Sequence, residues 1–251
     1  MRLCQYPAIP LFLLKSKRES TERTEPELEM NQHSLPNAVL WDMDGTLIDQ
    51  TVAIIRCYSE VITELGYNPP KPEHILRSLG GPMASTMALF VEASKLEVSC
   101  QRFRSRFPEI MLDGLILLPG ARELITLFAQ QNIPQAILTN KHGETARTVR
   151  THLGLSEHLP ICIGNSDTEW SKPQAELTQY VLDQLNVNAQ GAILIGDSPT
   201  DIATARNAGM DCYCVATGAH GRNELDAAGA VATYQSLHEL YQAFPQGTGA
   251  R

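Results

Sequence analysis

Short apolar runs recur along the chain, each ending abruptly in polar residues, and between them apolar side chains return at every third or fourth position. The first run is Ala38-Val39-Leu40-Trp41, closed by Asp42-Met43-Asp44-Gly45-Thr46. Later runs lie at 134–138, 161–163, 192–195, 212–215 and 230–233. Runs this short, bounded by Gly, Pro, Asp and Asn, read as buried strands. The stretches between them carry the helical period. Helices are predicted over 51–65, where Ile55, Tyr58, Ile62 and Leu65 share a face before Gly66, and over 73–79, 82–94 and 98–112. Further helices are predicted over 120–131, 143–153, 173–186, 199–208, 222–228 and 236–244.

The order of these elements sets the fold class. From Pro119-Gly120 onward, helix and strand alternate, which predicts a doubly wound, Rossmann-like parallel sheet with right-handed crossovers and helices on both faces. Residues 51–114 hold helices and no convincing strand, so they read as a helical subdomain inserted after the first strand. The α/β core is then 37–50 together with 115–251. Residues 1–36 differ from the rest. The segment 15–29 is almost wholly polar, mixes both signs of charge and has no apolar period, so a disordered leader is expected, with a functional start at Met30.

Composition narrows the function classes. A chain of 251 residues, 43% apolar, is long enough to bury a real core. Its net charge of −8 argues against nucleic acid as a partner, because phosphate-backbone affinity needs an excess of Lys and Arg. No run of 18 apolar residues predicts a membrane span, and the patch 8–14 is too short and followed by basic residues on the wrong side for a signal peptide. The six cysteines form no CxxC and no zinc-type spacing, which points to reduced thiols in a cytoplasmic setting, with Cys212 and Cys214 packed in the core.

Ligands of a doubly wound sheet bind beyond the carboxyl ends of its strands. Asp42 and Asp44 follow the first strand. Two carboxylates there must be paired, hydrated or bound to a cation, and a solvated turn is the plain alternative. An EF-hand is excluded, since Leu47 and Ala53 stand where its Gly and Glu would be. Thr139, Asn140 and Lys141 follow the second run, Gly196-Asp197-Ser198-Pro199-Thr200-Asp201 follow the run ending at Ile195, and Lys172 precedes Pro173 at a predicted helix start.

In this order DMDGT (42–46), LTN (138–140), SKPQAE (171–176) and GDSPTD (196–201) resemble the four motifs of the haloacid dehalogenase-like hydrolase superfamily. The likeness spans about residues 38–244 and is to its phosphoglycolate phosphatase-like members with a small helical cap, here 51–114. It implies a phosphatase of small phosphorylated metabolites that works through an aspartyl-phosphate on Asp42, with Asp44 as general acid and base. The dehalogenase branch lacks an acid at that second position. The resemblance further implies Mg²⁺ held by the Asp42 carboxylate, the Asp44 carbonyl and Asp197, with Asp201 orienting a ligand water or Lys172. Local alternatives are a helix-dipole acid at Asp201 and an N-cap at Asp197. Thr139, the Asn140 amide and Lys172 would cradle the phosphate. In the cap, Arg77, Gly80 and Gly81 occupy the position of a substrate loop, with Arg77 either gripping an anionic group or lying exposed. Arg102, Arg104 and Arg106, alternating with Phe103 and Phe107, read as the charged face of an amphipathic helix. The tail of SKPQAE departs from the more usual KPxPD. Two rivals share this core: a β-phosphoglucomutase-like sugar-phosphate mutase and a non-catalytic binding protein. No cap lysine matches the Schiff-base lysine of phosphonoacetaldehyde hydrolases. Neither the ester nor the oligomeric state is readable from the sequence.

Overall fold

The computed structural model describes residues 33–245. The expected leader therefore lies outside the described residues up to position 32, as does the candidate start at Met30. Its last residues are described: the His33 amide donates to the Ala243 carbonyl at 2.8 Å, and the His33 ring packs on Tyr213 and Phe244.

Six parallel strands form the main sheet: β1 (Ala38–Trp41), β4 (Gln135–Leu138), β5 (Ile161–Ile163), β6 (Ala192–Gly196), β7 (Asp211–Val215) and β8 (Ala232–Tyr234). Their order is β5-β4-β1-β6-β7-β8. β1 is the centre of this sheet, and all four of its residues are fully buried. Alternation along it divides the core between the two faces. Val39 and Trp41 join Ile137, Ile193 and Ile195 under the helices α5 (Ala121–Gln130) and α10 (Leu237–Ala243). Ala38 and Leu40 face the other way, with Ala136, Leu194, Cys212 and Cys214, under α7 (Ala175–Leu185), α8 (Pro199–Asn207) and α9 (Arg222–Ala228). Burying a side chain such as Val39 or Leu40 stabilises by about 1.5–3 kcal/mol, and an unpaired charge in its place would be strongly destabilising. The one polar atom of this strand's side chains is satisfied: Trp41 Nε1 donates to Gln135 Oε1 at 3.0 Å. α6 (Gly143–His152) completes the core helices.

Between β1 and β4 come α1 (Thr51–Glu64), α2 (Pro72–Arg77), α3 (Met83–Met87) and α4 (Ala93–Ile110). α1 packs on α4 through Tyr58 and Phe103, whose ring centroids are 4.6 Å apart, and Phe103 stacks on Phe107 at 5.1 Å. The predicted helices 82–94 and 98–112 are redistributed. The chain leaves α3 in a tight turn, with Leu89 N–H donating to Thr86 and Phe90 N–H to Met87, and an extended Glu92 starts α4 early. No Gly or Pro marks that break; burial of Met87 and Val91 imposes it. A two-stranded antiparallel pair, β2 (Ile48–Asp49) with β3 (Ile116–Leu117), binds the chain entering the helical segment to the chain leaving it. Two-residue strands carry no period, so no local pattern announces them. Helix α7 begins at Ala175 rather than at Pro173. None of the described helices is long and apolar enough to cross a membrane.

Candidate active site

The chain runs from β1 out to β4 and β5 on one side, then returns to β6 on the other. The reversal lies between β1 and β6, and a crevice at such a point is where ligands of this sheet class bind. Asp42 follows β1 and Asp197 follows β6, so the sheet itself brings these carboxylates together. With Asp201 they offer three oxygens within 4.8 Å of one another, all buried.

One ammonium group lies among them. Lys172 Nζ donates to Asp42 Oδ1 at 2.5 Å and to Asp201 Oδ1 at 2.7 Å, and its side chain is 2% exposed. Burial works against the lysine charge, but Asp201 and Asp42 outweigh it and hold its pKa above the ordinary lysine value. Burial pushes the Asp42 carboxyl up to about 6, while Lys172 pulls in the opposite direction.

Asp201 is fully committed. Its second oxygen accepts from the amides of Asp197 (3.2 Å) and Ser198 (3.1 Å) and from the Ser198 hydroxyl (2.6 Å). Ser198 is the N-cap of α8 and closes a capping box with Asp201. The local alternative for Asp201, a helix-terminal acid, and its alignment of Lys172 are thus both met by one side chain. Asp197 is not an N-cap.

Asp197 is the unsatisfied member. Its Oδ1 accepts from the Thr46 hydroxyl at 3.0 Å, and among the described residues no cation pairs with it. Burial, reinforced by the charges of Asp42 and Asp201, holds its pKa well above the carboxylate range. Two glycines leave room beside it. A Cβ on Gly45, which has φ +85°, or on Gly218 would collide with the Asp197 carboxylate. The Asp44 carbonyl beside it accepts no hydrogen bond among the described residues. The donors left over are therefore hard oxygens: Asp42, Asp197 and the Asp44 carbonyl. That set fits a small divalent cation such as Mg²⁺, which would relieve the crowded negative charge.

The Asp44 side chain turns to a different partner. Lys141 Nζ donates to its two oxygens at 2.9 and 3.0 Å and to Gln50 Oε1 at 2.6 Å. The Asn140 side chain ties three segments together: its Nδ2 donates to the Gly80 carbonyl at 2.9 Å, and its Oδ1 accepts from the Lys172 amide at 2.9 Å. Its own amide donates to no acceptor among the described residues, and the Thr139 hydroxyl accepts only from the Lys141 amide, at 3.2 Å. Both donors remain available to an anion.

These groups open into a cavity of about 750 Å³ between the strand ends and α1–α4. Gly80 and Gly81 line it, whereas Arg77 does not; its guanidinium bonds the carbonyl of Ala219, which borders the cavity, and the Glu224 carboxylate beyond it. Arg102 and Arg106 pair with Glu64 on α1, as a charged helix face should, but Arg104 lines the cavity. The strand-end rule, extended to β7, would have found Thr217 and Gly218. Gln50, immediately before α1, looks like an ordinary helix start, and nothing local distinguishes it.

The family profile described as haloacid dehalogenase-like hydrolase matches residues 39–215. A phosphoglycolate phosphatase of Chromobacterium violaceum is 28% identical over 218 residues, covering 84% of this chain and 97% of its own length. A phosphorylated carbohydrates phosphatase of Thermotoga maritima is 27% identical, covering 78% and 92%. Among solved structures, a haloacid dehalogenase-like family hydrolase of Streptococcus pneumoniae superposes with a TM-score of 0.76 at 22% identity, covering 84% of this chain and 99% of that one.

Proposed function

The chain belongs to the haloacid dehalogenase-like hydrolase family and is a phosphoric monoester hydrolase within it, and from that premise we propose a Mg²⁺-dependent phosphatase of small phosphorylated metabolites, phosphoglycolate phosphatase-like, that works through an aspartyl-phosphate. The observation that carries this reading is the Lys172 ammonium bonded to both Asp42 and Asp201 beside an Asp197 carboxylate that forms no ion pair among the described residues.

Asp42 is the nucleophile. Its carboxylate oxygen forms a bond to phosphorus as the ester P–O bond breaks, and Asp44 gives its proton to the departing alcohol oxygen. Asp44 then takes a proton from water, the water oxygen attacks phosphorus, and the Asp42 carboxylate is released with inorganic phosphate. Lys172, the Thr139 hydroxyl and the Asn140 amide stabilise the charge spread over the equatorial oxygens. Asp201 keeps Lys172 charged and aimed. Asp42, Asp197 and the Asp44 carbonyl would hold Mg²⁺, and the ion would supply further neutralisation of the phosphoryl charge. Residues 51–114 act as a cap that shapes the cavity and limits access of water.

The test is phosphate release from a panel of esters, 2-phosphoglycolate and sugar phosphates among them, with and without Mg²⁺. Release that requires Mg²⁺ is expected. Transfer of phosphate back to a sugar with no net release would replace the hydrolase by a mutase, and no turnover of any ester would leave a binding protein.

A further inference from the structure

We propose that Lys141 and Gln50 are positioning residues for Asp44, holding the acid/base carboxylate in one orientation and linking it to the end of helix α4. This rests on the reading of Asp44 as acid and base given above. Three observations lead to it. Lys141 Nζ has three donors, and the two Asp44 oxygens (2.9 and 3.0 Å) and Gln50 Oε1 (2.6 Å) engage them. Its side chain is 6% exposed, and the ammonium lies 5.1 Å from the centre of the Phe107 ring, a favourable cation–π placement. Gln50 is itself buried, and its amide nitrogen donates to the Met111 carbonyl just beyond α4.

The contrast with Lys172 decides between substrate binding and positioning. Lys172 lies against Asp42, where the phosphoryl group must arrive, whereas Lys141, though it borders the cavity, has all three donors engaged by Asp44 and Gln50. Without it, the Asp44 side chain is free about both of its torsions. Only a fraction of orientations would then aim the proton at the leaving oxygen. The Gln50 bond to Met111 makes that aim depend on where α4 sits, so a shift of α4 would be transmitted to Asp44 through Gln50 and Lys141.

Leaving groups of different basicity supply the test, because an alkoxide needs the proton and a p-nitrophenolate does not. The quantity is kcat/KM, which reports the steps up to alcohol release, measured with 2-phosphoglycolate and with p-nitrophenyl phosphate. Asp44→Asn should lower the alkyl ester value by about 10²-fold or more and the aryl value far less. Lys141→Met should lower the alkyl value about tenfold or more, again with a much smaller aryl loss, and Lys141→Arg should recover part of it. In the Asp44→Asn background, Lys141→Met should cost no more than about twofold further, because both changes remove one function. Equal losses on both esters, or a further tenfold loss in that background, would overturn the positioning role. An alkyl rate untouched by Asp44→Asn would instead overturn the acid/base assignment, so the two failures are distinguishable. Should Lys141→Met not fold, Gln50→Leu carries the same test, with the same leaving-group pattern expected at smaller size and equal losses on both esters again overturning the role.

Discussion

The floor of the cavity and its roof are built on different physics. At the strand ends, Asp42, Lys172, Asp201 and Ser198 are buried and bonded to one another, and each polar atom has a partner except where a ligand would bind. On the helical side, apolar and aromatic side chains such as Tyr58, Phe103 and Phe107 face the cavity beside a single arginine, Arg104, and other charges sit in exposed pairs like Arg56–Glu60 and Arg77–Glu224. Removing the ammonium of the floor strands its carboxylates in low dielectric, whereas removing one charge of an exposed roof pair leaves its partner in water.

The largest effect expected from this contrast is at the nucleophile. Asp42→Asn should lower phosphate release by about 10⁴-fold or more, with the thermal midpoint undiminished, since the amide still accepts from Lys172 and one of three crowded negative charges is gone. A variant within tenfold of the parent would end the nucleophile assignment. Lys172→Ala comes next. It should lower kcat by about 2–4 kcal/mol through lost charge stabilisation, and it should cost about 3–5 kcal/mol of stability because Asp42 and Asp201 lose their ammonium partner. Denaturant melts read the second loss independently of the first. If stability stayed at the parent level, the floor would be no more tightly coupled than the roof.

Metal binding sharpens the same contrast without a change of catalytic rate as the readout. Mg²⁺ at a hundred times its dissociation constant should stabilise the fold by about 2.7 kcal/mol, seen as a higher melting temperature that EDTA reverses. Asp197→Asn should abolish most of that shift; an undiminished shift would place the ion elsewhere. The smallest effect belongs to the roof. Arg77→Ala should leave kcat/KM within about threefold, because exposed ion pairs contribute little. A tenfold rise in KM for an anionic ester would show that Arg77 leaves Glu224 to meet substrate.

How much of this was legible beforehand varied with the kind of order involved. The strands of the main sheet read directly, because a strand buried on both faces tends to a continuous apolar run, as 38–41 and 192–195 are. The division between α3 and α4 did not, because it depends on packing of Met87 and Val91 rather than on a local breaker. Arg77 was a reasonable candidate by position, yet the tertiary structure engages it with the Ala219 carbonyl and Glu224 and leaves it out of the cavity lining.

The class of fold and the candidates for chemistry follow from local pattern alone. A polar residue directly after a buried strand can only emerge at the strand's end, and that is enough to find Asp42, Asp44, Thr139, Asn140 and Asp197. Which of these groups partners which is a matter of tertiary structure. Lys172 lies 130 positions from Asp42, and Lys141 lies 97 from Asp44. Such pairings depend on the strand order that folds β6 back beside β1, and on burial that makes each unpaired charge costly. Residue type and spacing carry neither quantity, so the two lysines that follow different strands could be assigned to different carboxylates only once the sheet had set them side by side.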